Sequence, residues 1–232
     1  MARRTKEDSF ATRHKLLDAA EHLFQLQGVS RTSLQDIARR AGATRGAVYW
    51  HFKDKADLFN AMMERVTLPM EASFNLSDTD PDKASTDNVD AIYLIRRATV
   101  KALLQIVSDA QTRRVFEVAT HKVEYVEELQ AVRLRHLTIR NGFLSRVEQG
   151  MDAASRQSDI KLATPSATAA RGLHALIDGL IQNWLLDPEA FDLLAVGQCV
   201  MNVYLRGLGF ANEQESPMPS WNAAEPARTH KA

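Results

Sequence analysis

Between residues 8 and 27 apolar side chains return at Leu16, Leu17, Ala20, Leu23 and Phe24, the spacing of one helix face. Gly28 follows and supplies the left-handed position that ends a helix. Thr32 starts a second helix in this reading, its hydroxyl taking an orphan N–H and Gln35 completing a capping box. Leu34, Ile37, Ala38 and Ala41 form the buried side of that helix, and Gly42 stops it. Thr44 caps a third helix of about two turns, Arg45 to Trp50, with Ala47 and Val48 turned inward. Asp54 caps a fourth whose face is Leu58, Phe59, Met62 and Val66. Pro69, costing roughly 3 kcal/mol inside a helix, predicts a kink or break there.

From Asn75 to Asn88 the chain turns to Ser, Asp, Thr, Pro and Lys, the composition of an exposed connection. Helical periodicity resumes at Ile92, Ile95, Thr99, Leu103 and Ile106. It continues to about Phe210, with breaks predicted near Asp109, Gly150 and Pro165. No stretch reads as a strand pair, and no internal repeat occurs. The expected fold is all-α: an N-terminal three-helix helix-turn-helix domain over residues 1–55 and a larger helical domain over 56–210. The proline-containing stretch 211–232 is expected to be a disordered tail.

Charge changes this picture in one respect. The formal net charge is zero, but residues 1–65 carry twelve Lys/Arg against eight Asp/Glu, so the head is net +4 and the rest net −4. A basic head on an acidic body fits a chain in which only the head meets phosphate. The single cysteine, Cys199, lies in an apolar run and is read as a small buried residue, which excludes an intrachain disulfide and a cysteine metal cluster. No apolar stretch suits a signal peptide or membrane span, so a cytoplasmic protein without membrane partners is expected.

Two short helices joined by a turn containing Gly42 form a helix-turn-helix, in which one helix braces across the DNA backbone and the next enters the major groove. Thr32, Ser33 and Thr44 stand at helix N-termini, where exposed N–H groups favour phosphate. Arg45 has the fork that reads a guanine O6/N7 edge, and Gly46 allows close backbone approach. Tyr49 offers a hydroxyl and a ring, while His51 and Lys55 add donors at the far end. His51 has no partner histidine at ligand spacing, so phosphate contact is expected and metal binding is not. By spacing alone an ordinary helical hairpin with a solvated basic face remains open.

The residues themselves narrow that choice. Thr-Ser-Leu-Gln-Asp-Ile-Ala-Arg-Arg-Ala-Gly-Ala-Thr-Arg-Gly-Ala-Val-Tyr-Trp-His-Phe-Lys-Asp-Lys-Ala-Asp-Leu-Phe, residues 32–59, resembles the signature of the tetracycline-repressor (TetR) family. The resemblance implies that Thr44, Arg45, Gly46, Tyr49, His51 and Lys55 lie on the DNA side. Ile37, Ala38, Val48, Trp50, Phe52 and Leu58 would then pack the head. The opening Met-Ala-Arg-Arg-Thr-Lys-Glu, residues 110–125 and Ile-Asp-Gly-Leu-Ile-Gln-Asn-Trp-Leu-Leu (177–186) look like its multidrug-efflux repressors of the AcrR and TtgR type.

That likeness implies a helix-lined cavity for drugs and other apolar aromatics, whose binding releases the operator of an efflux-pump operon. The implied wall is Met70, Thr99, Ala102, Phe116, Ala119, Thr120, Phe143, Val147, His174, Ile177, Asp178 and Ile181. Plain core is the alternative reading of such a stripe. Asp178 is the sharpest candidate, because a carboxylate among Leu176, Ile177, Leu180 and Ile181 needs a hydrogen-bonding partner, from a ligand, a water or a neighbouring helix. The chain departs from these relatives in a longer, more acidic connection after Pro69 and at Phe116 and Thr120.

One short recognition helix reads few bases, which calls for a two-fold homodimer on a palindromic operator. The expected dimer surface is the helix pair near 167–186 and 191–209, through Leu180, Trp184, Leu193, Val200, Val203 and Leu208. The function read from the sequence is therefore a small-molecule-released repressor of double-stranded DNA. No cofactor, metal or catalytic residue is expected. A repressor of a catabolic or signalling operon with a narrow inducer, and a helical carrier or enzyme whose basic head is incidental, are the alternatives.

Overall fold

The computed structural model describes residues 6–73 and 91–210, with the backbone alone for 69–73. The regular structure among the described residues is helical: α1 (Lys6–Gln27), α2 (Leu34–Arg40), α3 (Arg45–His51), α4 (Lys55–Ser73), α5 (Ala91–Ser108), α6 (Ala110–His121), α7 (Gln130–Gln157), α8 (Ser166–Leu186) and α9 (Leu193–Gly207). A single 3-10 turn, Glu127–Leu129, leads into α7. The connection over 75–88, the tail over 211–232 and the side chain of Met70 lie outside the described residues.

The N-terminal helices pack as the apolar spacing predicts. Leu16, Leu17, Ala20 and Phe24 of α1 are fully buried against Ile37, Ala38 and Val48, with Phe52 closing the cluster. Gly42, at φ +64°, makes the turn between α2 and α3 in a conformation that a side chain resists. The same cluster continues into Leu58, Phe59, Met62 and Val66 of α4, Val115 and Val118 of α6, and Leu129 and Val132. One apolar core thus spans the head and the first layer of the body. A second cluster joins α5, α7, α8 and α9 around Ile95, Met151, Leu173 and Met201, and a third joins Leu103 and Ile106 to Trp184, Leu185 and Leu193.

Several local expectations are corrected. The second helix is capped by Ser33, not Thr32: Ser33 Oγ accepts from Asp36 N at 3.1 Å and Asp36 Oδ2 accepts from Ser33 N at 3.3 Å. Thr32 is withdrawn because its hydroxyl is buried, donating to Gly28 O at 2.7 Å and accepting from Gln27 Nε2 at 3.1 Å. The α4 helix does not stop at Pro69 but runs to Ser73. Packing of its apolar face upstream offsets the roughly 3 kcal/mol that a proline costs.

Gly150 does not break α7 either. It is buried within that helix, and a Cβ there would stand 2.9 Å from Ile95 Cδ1, so the glycine allows α7 to cross α5 closely. Trp50 does not pack the head: it is 80 % exposed, because Val48 and Phe52, four apart, take the inward positions and leave residue 50 on the opposite side. Cys199 is exposed rather than buried, lying on the outer side of α9.

Candidate DNA-reading head and ligand cavity

Helix α3 is presented by its caps. Thr44 Oγ1 accepts from Ala47 N at 3.2 Å, which fixes the N-terminus, and Val48 anchors the inner side. Ser33, Thr44, Arg45, Gly46 and Tyr49 are exposed, and His51 is half-buried beside Phe52. Arg45 and Tyr49, one turn apart, form a unit. Arg45 Nη2 lies 3.4 Å from the Tyr49 hydroxyl, and the guanidinium carbon stands 5.5 Å from the ring centroid. Such a contact holds the fork at the outer surface, where a base edge or phosphate can reach it.

Lys55 stands apart from that surface. Its ammonium reaches Ser30 O at 3.2 Å, Thr32 O at 3.4 Å and Glu128 Oε1 at 3.2 Å, so its donors are engaged inside the protein, tying the loop before α2 to the 3-10 turn of the body. Thr32 is likewise internal. The described residues contain no group of three His, Cys, Asp or Glu side chains able to hold a metal ion.

Behind the head, the buried Glu21 of α1 accepts from Arg65 of α4 at 3.0 Å and from Gln111 of α6 at 2.9 Å, with Arg114 of α6 at 3.6 Å. Asp18 shares Arg65 at 2.8 Å, and Gln25 Nε2 donates to Glu117 at 2.8 Å. Burial pushes the Glu21 carboxyl up from its ordinary value, against the pull of Arg65. Val29 N donates to Lys122 O at 3.0 Å. The reading head is therefore braced by α4 and α6 through polar contacts with fixed geometry, and these two helices also form walls of the cavity.

That cavity, about 230 Å³, opens among α4, α5, α6, α7 and α8. Nine of the twelve expected wall positions line it: Thr99 and Ala102 on α5, Phe116 and Ala119 on α6, Phe143 on α7, and His174, Ile177, Asp178 and Ile181 on α8. Val147 does not. It is buried in the second apolar cluster beside Ile95 and Met151, because its position on α7 faces α5. Thr120 also lies outside the wall, one position past Ala119 on α6.

The sequence reading missed the contribution of α4 (Phe59, Asn60, Met63, Thr67), Ile106, Tyr125 and most of α7 (Val132, Arg135, His136, Ile139, Arg140, Arg146). A signal for α7 existed: positions 132, 135, 136, 139, 140, 143 and 146 make one helical stripe, but its mixed apolar and basic character reads as surface. Asp178 finds its partner on its own helix, accepting from Gln182 Nε2 at 2.6 Å. His174 meets Phe143 edge-on at 5.5 Å, and burial holds His136 below the ordinary histidine value although Asp178 pulls it up. In the wall, Asn60 Oδ1, Thr67 Oγ1, Thr99 Oγ1 and Arg146 Nε are buried without a hydrogen-bond partner. A buried polar atom left without a partner costs about 1–3 kcal/mol, so the cavity wall is less fully hydrogen-bonded than the braced head in front of it.

The outer side of α8 and α9 differs again. Trp184, Leu193 and Leu208 are used up in the chain's own core, correcting their expected place at a dimer surface. Leu176, Leu186, Cys199 and Val203 are among the exposed residues there, and Gly179 has open space beside it.

Comparison with known proteins completes these observations. Residues 16–62 match the bacterial regulatory proteins of the tetR family, and residues 90–210 match the C-terminal region of MAATS-type transcriptional repressors. The chain is a TetR-family regulator. Regulators of this family are not enzymes. This one is 34% identical to the transcriptional regulator TtgR of Pseudomonas putida over 194 residues, covering 84% of this chain and 90% of TtgR. It is 34% identical to AcrR of Shigella flexneri, covering 83% and 87%. Among solved structures, NalD, the secondary repressor of the MexAB-OprM multidrug efflux pump in Pseudomonas aeruginosa, superposes with a TM-score of 0.76 at 36% identity, covering 88% of this chain and 98% of NalD. A SmeT–triclosan complex matches with a TM-score of 0.72 at 30% identity, covering 90% and 99%. The regulator thus resembles the AcrR and TtgR type. None of its described helices is long and apolar enough to cross a membrane.

Proposed function

We propose that this regulator acts in the cytoplasm as a homodimeric repressor that binds a palindromic operator and is released by small apolar or aromatic compounds, controlling an operon for their efflux. In this reading residues 1–55 read DNA and residues 56–210 sense and dimerise. Arg45, Gly46, Tyr49, His51, Ser33 and Thr44 meet the duplex, while Thr32 and Lys55 hold the head in shape. The observation that carries the proposal is the position of the cavity: its walls α4 and α6 are the helices that brace α1 through Glu21, Arg65 and Gln111. A guest that shifts either wall changes the spacing of two heads in a dimer. Allosteric couplings of about 1–3 kcal/mol suffice for release. NalD, the secondary repressor of the MexAB-OprM multidrug efflux pump, and SmeT, the repressor of the multidrug efflux pump SmeDEF, both similar over most of the chain, support the efflux assignment. The exposed face of α8 and α9, with Gly179 open to close approach, is the dimer surface of this reading.

Duplexes selected by the protein from a random pool test the head. Salt-sensitive binding to an inverted repeat is expected, with Arg45→Ala and Tyr49→Ala each weakening it by about 5- to 150-fold, the value of one good base or phosphate contact. Equal binding by both variants and the parent would remove these residues from the DNA surface.

A further inference from the structure

The charge of the cavity wall is lopsided. Three guanidinium groups line it, Arg135, Arg140 and Arg146, against the single carboxylate of Asp178. Arg135 is matched by Glu64 at 3.6 Å, and Asp178 is engaged by Gln182. Among the described residues the Arg140 fork reaches only the neutral Asn141 Oδ1, at 3.4 and 3.2 Å. Arg146 makes no ion pair among the described residues, and its Nε is buried without an acceptor. A half-buried guanidinium with no carboxylate beside it is best matched by an anion, through charge-assisted bonds. Ile139 and Phe143 stand between these cations on the α7 stripe, so an anionic end and an apolar body are accommodated side by side.

Resting on the ligand-released reading above, we propose that the inducers of this regulator are amphipathic organic anions, flat apolar bodies bearing a carboxylate or phenolate. Arg146 holds the anion within the field of Arg140, and Phe116, Phe143 and Ile177 cover the body. Neutral compounds of the same shape bind more weakly because their acceptors bring no negative charge to the Arg146 guanidinium, and cationic ones more weakly still.

The test uses the full-length chain and three near-isosteric probes, 2-naphthoate, 2-naphthamide and 2-naphthylmethylammonium, titrated by calorimetry near neutral pH. The naphthoate is expected to bind about tenfold more tightly than the amide, the yield of one charge-assisted bond, with the ammonium weakest. In Arg146→Met the acid-to-amide ratio is expected to fall to about one, while Arg146→Lys, which keeps the charge, retains part of it. Thermal melts of both variants establish that they are folded. Amide or ammonium binding as tightly as the acid overturns the anion proposal and leaves the cavity reading standing. So does an unchanged ratio in a folded Arg146→Met. Failure of all three probes to bind overturns the cavity reading together with it.

Discussion

The reading head and the sensing cavity handle polar groups in opposite ways. In the head, polar side chains are satisfied within the protein wherever they are buried: Thr32 by Gly28 and Gln27, Lys55 by two carbonyls and Glu128, Glu21 by Arg65 and Gln111. The polar side chains on the outer side of α3, Arg45 and Tyr49, are already in water. In the cavity, Asn60, Thr67, Thr99 and Arg146 carry buried atoms with no partner. A surface that meets a large, charged, hydrated partner has to be rigid and solvated beforehand. A pocket that meets a small guest can leave part of its hydrogen bonding to that guest's own polar groups. Stability is thus concentrated where shape must be kept, and unsatisfied where binding must do work.

The largest test of this contrast is structural. Because one apolar cluster runs from α1 through α4 into α6, head and body are expected to unfold together. Phe24→Ala, at a fully buried position of α1, is expected to cost about 3–5 kcal/mol by urea denaturation in a single transition monitored from both regions. A head that melts alone, leaving the body intact, would break the contrast at its root.

A smaller effect sharpens it through pH. Ser33 and Thr112 donate hydroxyl hydrogen bonds that hold the Asp36 and Asp109 carboxyls below their ordinary value. A depressed folded value means a contribution present above about pH 4 and lost as the pH falls through it. Glu21 has the opposite sign. Burial raises its carboxyl, so its contribution is full below about pH 4.3 and declines as the pH rises through the folded value. Glu21→Gln is therefore expected to gain stability relative to the parent as the pH rises above about 4.3. A difference in urea midpoint that does not change with pH would contradict the assignment of desolvation as the dominant cause.

The smallest expected effect lies in the cavity. Asp178 is half-buried and already accepts from Gln182, so Asp178→Ala is expected to weaken release by hydroxylated aromatic ligands only about 3- to 10-fold, one hydrogen bond's worth. An unchanged ligand titration would remove Asp178 from the guest's contacts.

The sequence made these two regions legible to different degrees for a physical reason. Caps, turn glycines and an i, i+4 apolar stripe are local, so the helices of the head, the Thr44 and Asp54 caps and the outward Arg45 and Tyr49 could be read along the chain. The Thr32 error was one residue wide and arose because a buried hydroxyl and a capping hydroxyl look alike in sequence. Trp50 misled because large apolar residues are expected inside. The cavity is enclosed by five helices, so its wall depends on crossings such as α7 over α5 at Gly150, which no local pattern encodes. Nine wall residues came from resemblance, whereas Arg146, with its buried unsatisfied donor, emerged only from the packing.

The central claim, that a guest in this cavity releases DNA from the head, is tested most directly by fluorescence anisotropy of the operator complex under titration with 2-naphthoate and 2-naphthamide. The parent is compared with Ala119→Trp, in which an indole fills the space beside Phe116 and Ile181. The account predicts that ligand releases the operator from the parent and that the filled variant, on the complex it forms, needs at least about tenfold more ligand for half-release. Equal release of both proteins at the same ligand concentration would contradict it.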